Sequence, residues 1–164
     1  MNRLRHSRTW EVFGLLLFGP LSVGLGATNA SAEERKMDCK DLPATVRTAF
    51  GEAYPTAAMK ACAEELHNGQ TAYEIISTDG DTARDVVLAA DGKLIVAEEA
   101  MPTANLPEPV QQALRKKYPS RAIALAETVR RDGTITYEIH LKPLERGGAR
   151  EQIVFDASGN EMTP

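Results

Sequence analysis

Leu42-Pro43-Ala44-Thr45-Val46, followed by Tyr54-Pro55, Gly69 and Tyr73-Glu74, is answered further along by Leu106-Pro107-Glu108-Pro109-Val110, Tyr118-Pro119, Gly133 and Tyr137-Glu138. Each landmark recurs 64 positions on, as Leu42 does at Leu106. A fixed period of this length is the mark of a supersecondary unit used twice. In each copy the residues after Leu-Pro carry an apolar stripe at helical spacing: Val46, Ala49, Phe50 and Ala53 in the first, Leu106, Val110, Ala113 and Leu114 in the second. Asp41 and Asn105 are placed to cap these helices, with Glu108 completing a capping box, and Tyr-Pro ends each one. Arg115-Lys116-Lys117 then falls in a last turn, where cations complement the helix dipole.

Beyond each helix the period drops to two. Ile135, Tyr137, Ile139 and Leu141 alternate with Thr136, Glu138 and His140, and Asn68-Gly69 and Asp132-Gly133 mark two-residue hairpin turns. The expected fold is α+β: two tandem repeats, each a helix plus a four-stranded antiparallel meander, with the helices on one face of the sheet. Strands are expected at about 57–66, 71–78, 83–90 and 93–99 in the first copy, with Glu98 to Ala104 as the crossing segment.

Residues 1–32 stand apart. Arg3, Arg5 and Arg8 precede an apolar run from Val12 to Leu25, and Ala30-Ser31-Ala32 fits a small-x-small cleavage rule, which reads as a secretory signal peptide. The expected divisions are 1–32 signal peptide, 33–40 flexible mature N-terminus, 41–102 first repeat and 103–164 second repeat. The expected location is periplasmic or secreted. Setting aside Arg3, Arg5, Arg8 and Glu11 leaves 16 basic against 22 acidic residues. That acidic balance argues against nucleic acid as a partner, and no membrane association is expected after cleavage. Cys39 and Cys62 form an even pair in an oxidising compartment and read as a disulfide, two unpaired buried thiols being the alternative.

The repeated Leu-Pro-x-x-Val, the Tyr-Pro, the Gly-x-x-x-Tyr-Glu and the closing Asp-Gly or Asp-x-x-Gly turn resemble the PepSY-like domains grouped with the β-lactamase-inhibitor-protein fold. The resemblance covers about residues 41–163. It implies an exported, non-enzymatic module from a family suggested to inhibit or regulate peptidases and other enzymes. No contact residue of the inhibitor carries over by motif.

Catalytic signatures are missing from the sequence: there is no Gly-x-Ser-x-Gly, no phosphate loop and no His-Glu-x-x-His. The adjacent carboxylates Glu64-Glu65 and Glu98-Glu99 point to opposite faces of a strand, cannot share a proton, and read as solvated charge. The chain is therefore expected to be no enzyme and to need no cofactor or metal. A protein partner is the expected ligand, with a small or extended ligand (peptide, lipid or cell-wall fragment) or a structural assembly role as alternatives, and the chain is expected to be a monomer or weak dimer. The copies keep their offset until the loop after Leu141, where it grows from 64 to 67. That insertion, Lys142 to Arg150, offers Leu144, Arg146 and Arg150 beside the outward Glu138 and His140 as a partner surface.

Overall fold

The computed structural model describes residues 34–145 and 151–162. The segment expected to be a signal peptide and the loop residues Arg146 and Arg150 lie outside these described residues. The chain order is β1 (Arg35–Met37), α1 (Ala44–Ala53), β2 (Ala58–His67), β3 (Gln70–Asp79), β4 (Thr82–Ala89), β5 (Leu94–Ala100), α2 (Glu108–Lys117), β6 (Ile123–Arg131), β7 (Thr134–Leu141), β8 (Glu151–Phe155) and β9 (Glu161–Met162).

All nine strands belong to one antiparallel sheet whose spatial order is the order in sequence, β1 to β9. This corrects the expectation of two helix-plus-four-strand repeats. The ladder runs unbroken through the middle of the chain, because β5 pairs with β6 from Val96↔Arg131 to Ala100↔Glu127. Glu98 to Ala100 are therefore ladder residues, not a crossing segment. The segment expected to be flexible also contributes a strand: Arg35, Lys36 and Met37 pair with Glu64, Ala63 and Cys62 at the sheet edge.

The helices begin later than their expected caps. Leu42 and Leu106 are held extended at ψ 143° and 145°, as residues preceding proline must be, so neither helix reaches back to Asp41 or Asn105. Pro43 and Pro107 occupy the capping positions with no side-chain cap, and the capping box at Asn105 and Glu108 does not form. Glu108 instead pairs with Arg115 at 2.8 Å, one face of α2 along. Asn68 and Asp132, with φ 51° and 50°, precede Gly69 and Gly133, so both hairpins have the left-handed turn residues that the strand twist favours.

The register places both helices on the same side of the sheet. Val46 and Phe50 of α1 bury against Tyr73, Ile75, Val86 and Ala97. Ala97 faces the same way as its β6 partner Arg130, and Ala126, two pleats along that strand, lies in the core beneath Val110 and Leu114 of α2 with Ile139, Ile153 and Phe155. Cys39 and Cys62 are joined, tying the turn before α1 to β2. At the seam between the two core clusters, Arg84 is buried with its guanidinium 4.2 Å from the centre of the Tyr54 ring and 3.0 Å from Glu99.

Candidate functional site

Alternation along the strands sends every second residue to the face opposite the helices. Tyr73, Ile75 and Ser77 point inward on β3, so Ala72, Glu74 and Ile76 point away from the helices. Following the ladder from Glu74↔Val87 to Val87↔Val96, and from Glu98↔Val129 to Glu127↔Glu138, adds the outward set of each successive strand. The result is a strip of small apolar side chains, Ala72, Val87, Val96 and Val129, all buried. Around it stand carboxylates from six strands: Glu65, Glu74, Asp85, Glu98, Glu127 and Glu138.

These acids are not solvated surface charge. Glu65, Glu74 and Glu138 are each only 6% exposed. The reading of Glu65 and Glu98 as solvated is corrected here, while Glu64 is half-exposed and paired to Arg35 at 2.9 Å. Burial raises the carboxyl of Glu65 above its ordinary range and does the same to Glu74. Asp85 is pushed up to about 9, first by burial and then by the Glu74 charge beside it. Glu98 is raised to about 7, again by burial first, then by Glu138 and Glu127. A carboxyl in such company is stabilised when a proton or another cation arrives.

At the β6–β7 end of this face, Glu127 and Glu138 are directly opposed in the ladder, and His140 follows Glu138 by one pleat on the same side. The His140 Nε2 atom is 2.8 Å from Glu138 Oε1 and 3.2 Å from Glu127 Oε2. The Nε2 atom is buried. The Glu127 and Glu138 carboxylates raise the imidazole to about 9. Ligand atoms of the three residues all fall within 4.8 Å of one another.

Of the residues singled out in the sequence, Glu138 and His140 are thus brought together, and Leu144 is 80% exposed three residues beyond Leu141. Glu127, Asp85, Glu74 and Glu98 complete the constellation. Their one sequence signal was a polar residue at alternate positions of otherwise apolar strands, and only the register shows that these positions converge.

No family model and no curated protein sequence matches the chain. Solved structures do. A DUF2874 family protein from Bacteroides ovatus superposes with a TM-score of 0.59 at 15% identity, covering 74% of this chain and 84% of that one. A BLIP-like protein from Bacteroides fragilis gives 0.57 at 16% identity over 73% and 82% of the two chains. A protein from Bacteroides eggerthii described as periplasmic gives 0.55 at 17% identity over 74% and 86%. The chain shares the α+β fold of these proteins, one of which is described as BLIP-like.

Proposed function

We propose that this chain is an exported, non-enzymatic binding module that engages another envelope or secreted protein, and that the sheet face opposite the helices receives a cationic segment of that partner. The observation that carries this reading is the convergence of Glu65, Glu74, Asp85, Glu98, Glu127 and Glu138 on one face. Among the described residues, His140 is the one cation within ion-pair distance of any of them. These carboxylates are already partly dehydrated in the free protein, so a lysine or arginine placed among them gains attraction at less additional desolvation than at an open surface. The apolar strip between them gives such a segment something to pack on.

Periplasmic export is supported by the N-terminal signal pattern and by the description of the B. eggerthii structure as periplasmic. The PepSY-like resemblance and the BLIP-like fold favour a regulatory or inhibitory contact with a peptidase or other enzyme. The exposed Leu144, in the loop after Leu141, is proposed to belong to the same surface, while Arg146 and Arg150 lie outside the described residues.

The test is fluorescence anisotropy with a labelled lysine- and arginine-rich peptide and a glutamate-rich peptide of equal length. Saturable binding of the cationic peptide alone, weakened by salt and by the Glu74→Gln/Glu138→Gln double substitution, supports the reading. Equal affinity for both peptides, or indifference to the double substitution, rejects it.

A further inference from the structure

The Glu127, Glu138 and His140 cluster combines two features that an acidic surface patch lacks. One is a histidine nitrogen, a borderline ligand suited to zinc and its neighbours in the transition series and not to calcium or magnesium. The other is that the group is built inward. The Glu138 side chain is 8% exposed and Glu127 and His140 are 16% and 18% exposed. The buried Nε2 has two carboxylate oxygens from neighbouring strands close beside it. A histidine serving only as an ion-pair partner gains most by donating along the line to one oxygen. A nitrogen with two oxygens from neighbouring strands close beside it has the arrangement of three ligand atoms around a common point.

The distances fit. A tetrahedral ion with bonds of about 2.0–2.1 Å keeps its ligand atoms roughly 3.3 Å apart. Here Nε2 stands 2.8 Å and 3.2 Å from the oxygens, and the three ligand atoms share a 4.8 Å neighbourhood, within reach of small carboxylate rotations. Two of the ligands sit on neighbouring strands as a directly opposed pair, and the third is one pleat away, so the backbone ladder fixes their separation. Like charges directly opposed across a ladder are unfavourable without a counter-charge between them.

We infer that Glu127, Glu138 and His140 form a zinc-class divalent metal site, with three protein ligands and a fourth position open to water or to a partner's side chain. The imidazole binds in its neutral form, the ion taking the place of the proton. The site does not depend on the peptide-binding reading, since the metal is tested alone.

The experiment is calorimetric titration of zinc chloride into the exported chain after metal stripping, with the same titration on His140→Ala, Glu138→Gln and His67→Ala. His67 lies at the β2–β3 turn, well along the sheet from the cluster, and serves as the control for adventitious histidine binding. The expected result is one saturable zinc per chain, unchanged in His67→Ala and weakened at least about tenfold in the other two. Circular dichroism confirms that each variant is folded. As a second readout, cobalt in place of zinc gives visible absorption that His140→Ala loses. Absence of saturable binding in the unaltered chain overturns the site, as does equal binding by His140→Ala and the unaltered chain.

Discussion

Asp85 on β4 and Glu98 on β5 are directly opposed partners in the ladder, two carboxylates facing each other on the side of the sheet away from the helices. Glu74 stands diagonally across on β3, and Glu65 on β2 adds its charge from beyond. Burial and mutual repulsion favour the protonated forms of these acids. The Asp85 carboxyl is pushed up to about 9, by burial first and then by the charge of, and a hydrogen bond to, Glu74.

Stability should therefore fall as pH rises through the neutral range. Asp85 has a folded-state pKa above its ordinary 3.8, so the folded chain binds the proton more tightly than the unfolded chain does. Its contribution is full below that ordinary value and is lost as pH climbs towards about 9. Glu74 is shifted in the same direction by burial. Asp38, Glu108, Asp156 and Glu161 are shifted downward by hydrogen bonds and act at the acid end; above about pH 5 the buried acids act together with His140, raised to about 9 by Glu127 and Glu138, whose contribution is likewise lost as pH rises towards that value. Asn at position 85 can still donate to Glu74 and carries no charge. Asp85→Asn should raise Tm at pH 8 by the equivalent of about 1 kcal/mol or more and flatten the Tm–pH curve. A lower Tm for Asp85→Asn at pH 8 would refute this account.

The Cys39–Cys62 bridge closes a loop of 23 residues that contains all of α1. In the chain-entropy view a loop of that size contributes about 3 kcal/mol by restricting the unfolded chain. Reductant should lower the melting temperature of the unaltered chain and leave Cys39→Ala unmoved. Identical shifts in both proteins would place the reductant's effect elsewhere.

Tyr73 and Tyr137 occupy corresponding places in the two copies of the motif, but their burial differs. Tyr73 is 9% exposed within the core under α1, whereas Tyr137 is half-buried at the margin of the cluster under α2. Tyr73→Ala should cost about 3–5 kcal/mol, in the range of large aromatic deletions, and Tyr137→Ala about 1–3 kcal/mol. Urea unfolding of the two variants measures both, and a reversed order would mean that the edge of the second core is packed more tightly than the first.

Where sequence and structure agree and part has a common physical cause. The hairpin turns at Asn68-Gly69 and Asp132-Gly133 and the apolar stripes of both helices are local patterns, written in consecutive residues. The pairing of β5 with β6, which merges everything into one sheet, is a non-local contact between strands separated by the whole of α2. Arg35 to Met37 carry no strand pattern of their own and pair because the disulfide-tethered segment lies along β2. The acidic face was hidden for the same reason. Glu74, Asp85 and Glu98 are one acidic residue each from three different strands on the face away from the helices, and only the register sums them.

The closing turns show how the sheet is held against the helices. Gly92 has φ +84°, and a methyl placed on it would stand 2.9 Å from the Ala49 Cβ and 3.1 Å from the Thr45 carbonyl oxygen of α1. Gly159, at φ +80°, meets α2 in the same way: a methyl there would lie 2.5 Å from the Pro109 carbonyl oxygen. Thr45 also donates its hydroxyl to the Ala90 carbonyl at 2.8 Å, fixing the first turn to the helix. Both glycines thus meet two demands, a left-handed backbone and close approach of a helix, while Gly69 and Gly133 meet only the first and have open space around them. Alanine at 69 or 133 should cost about 1–2 kcal/mol, the strain of a left-handed residue. Alanine at 159 should cost clearly more, because the obstructing atoms belong to helix backbone and cannot rotate away. Gly92→Ala should fall between, since its obstacles stand at 2.9 and 3.1 Å rather than at 2.5 Å. Denaturant midpoints for the four variants provide the ranking, and an equal cost at 133 and 159 would show that the Gly159 turn can pull back from α2 without loss.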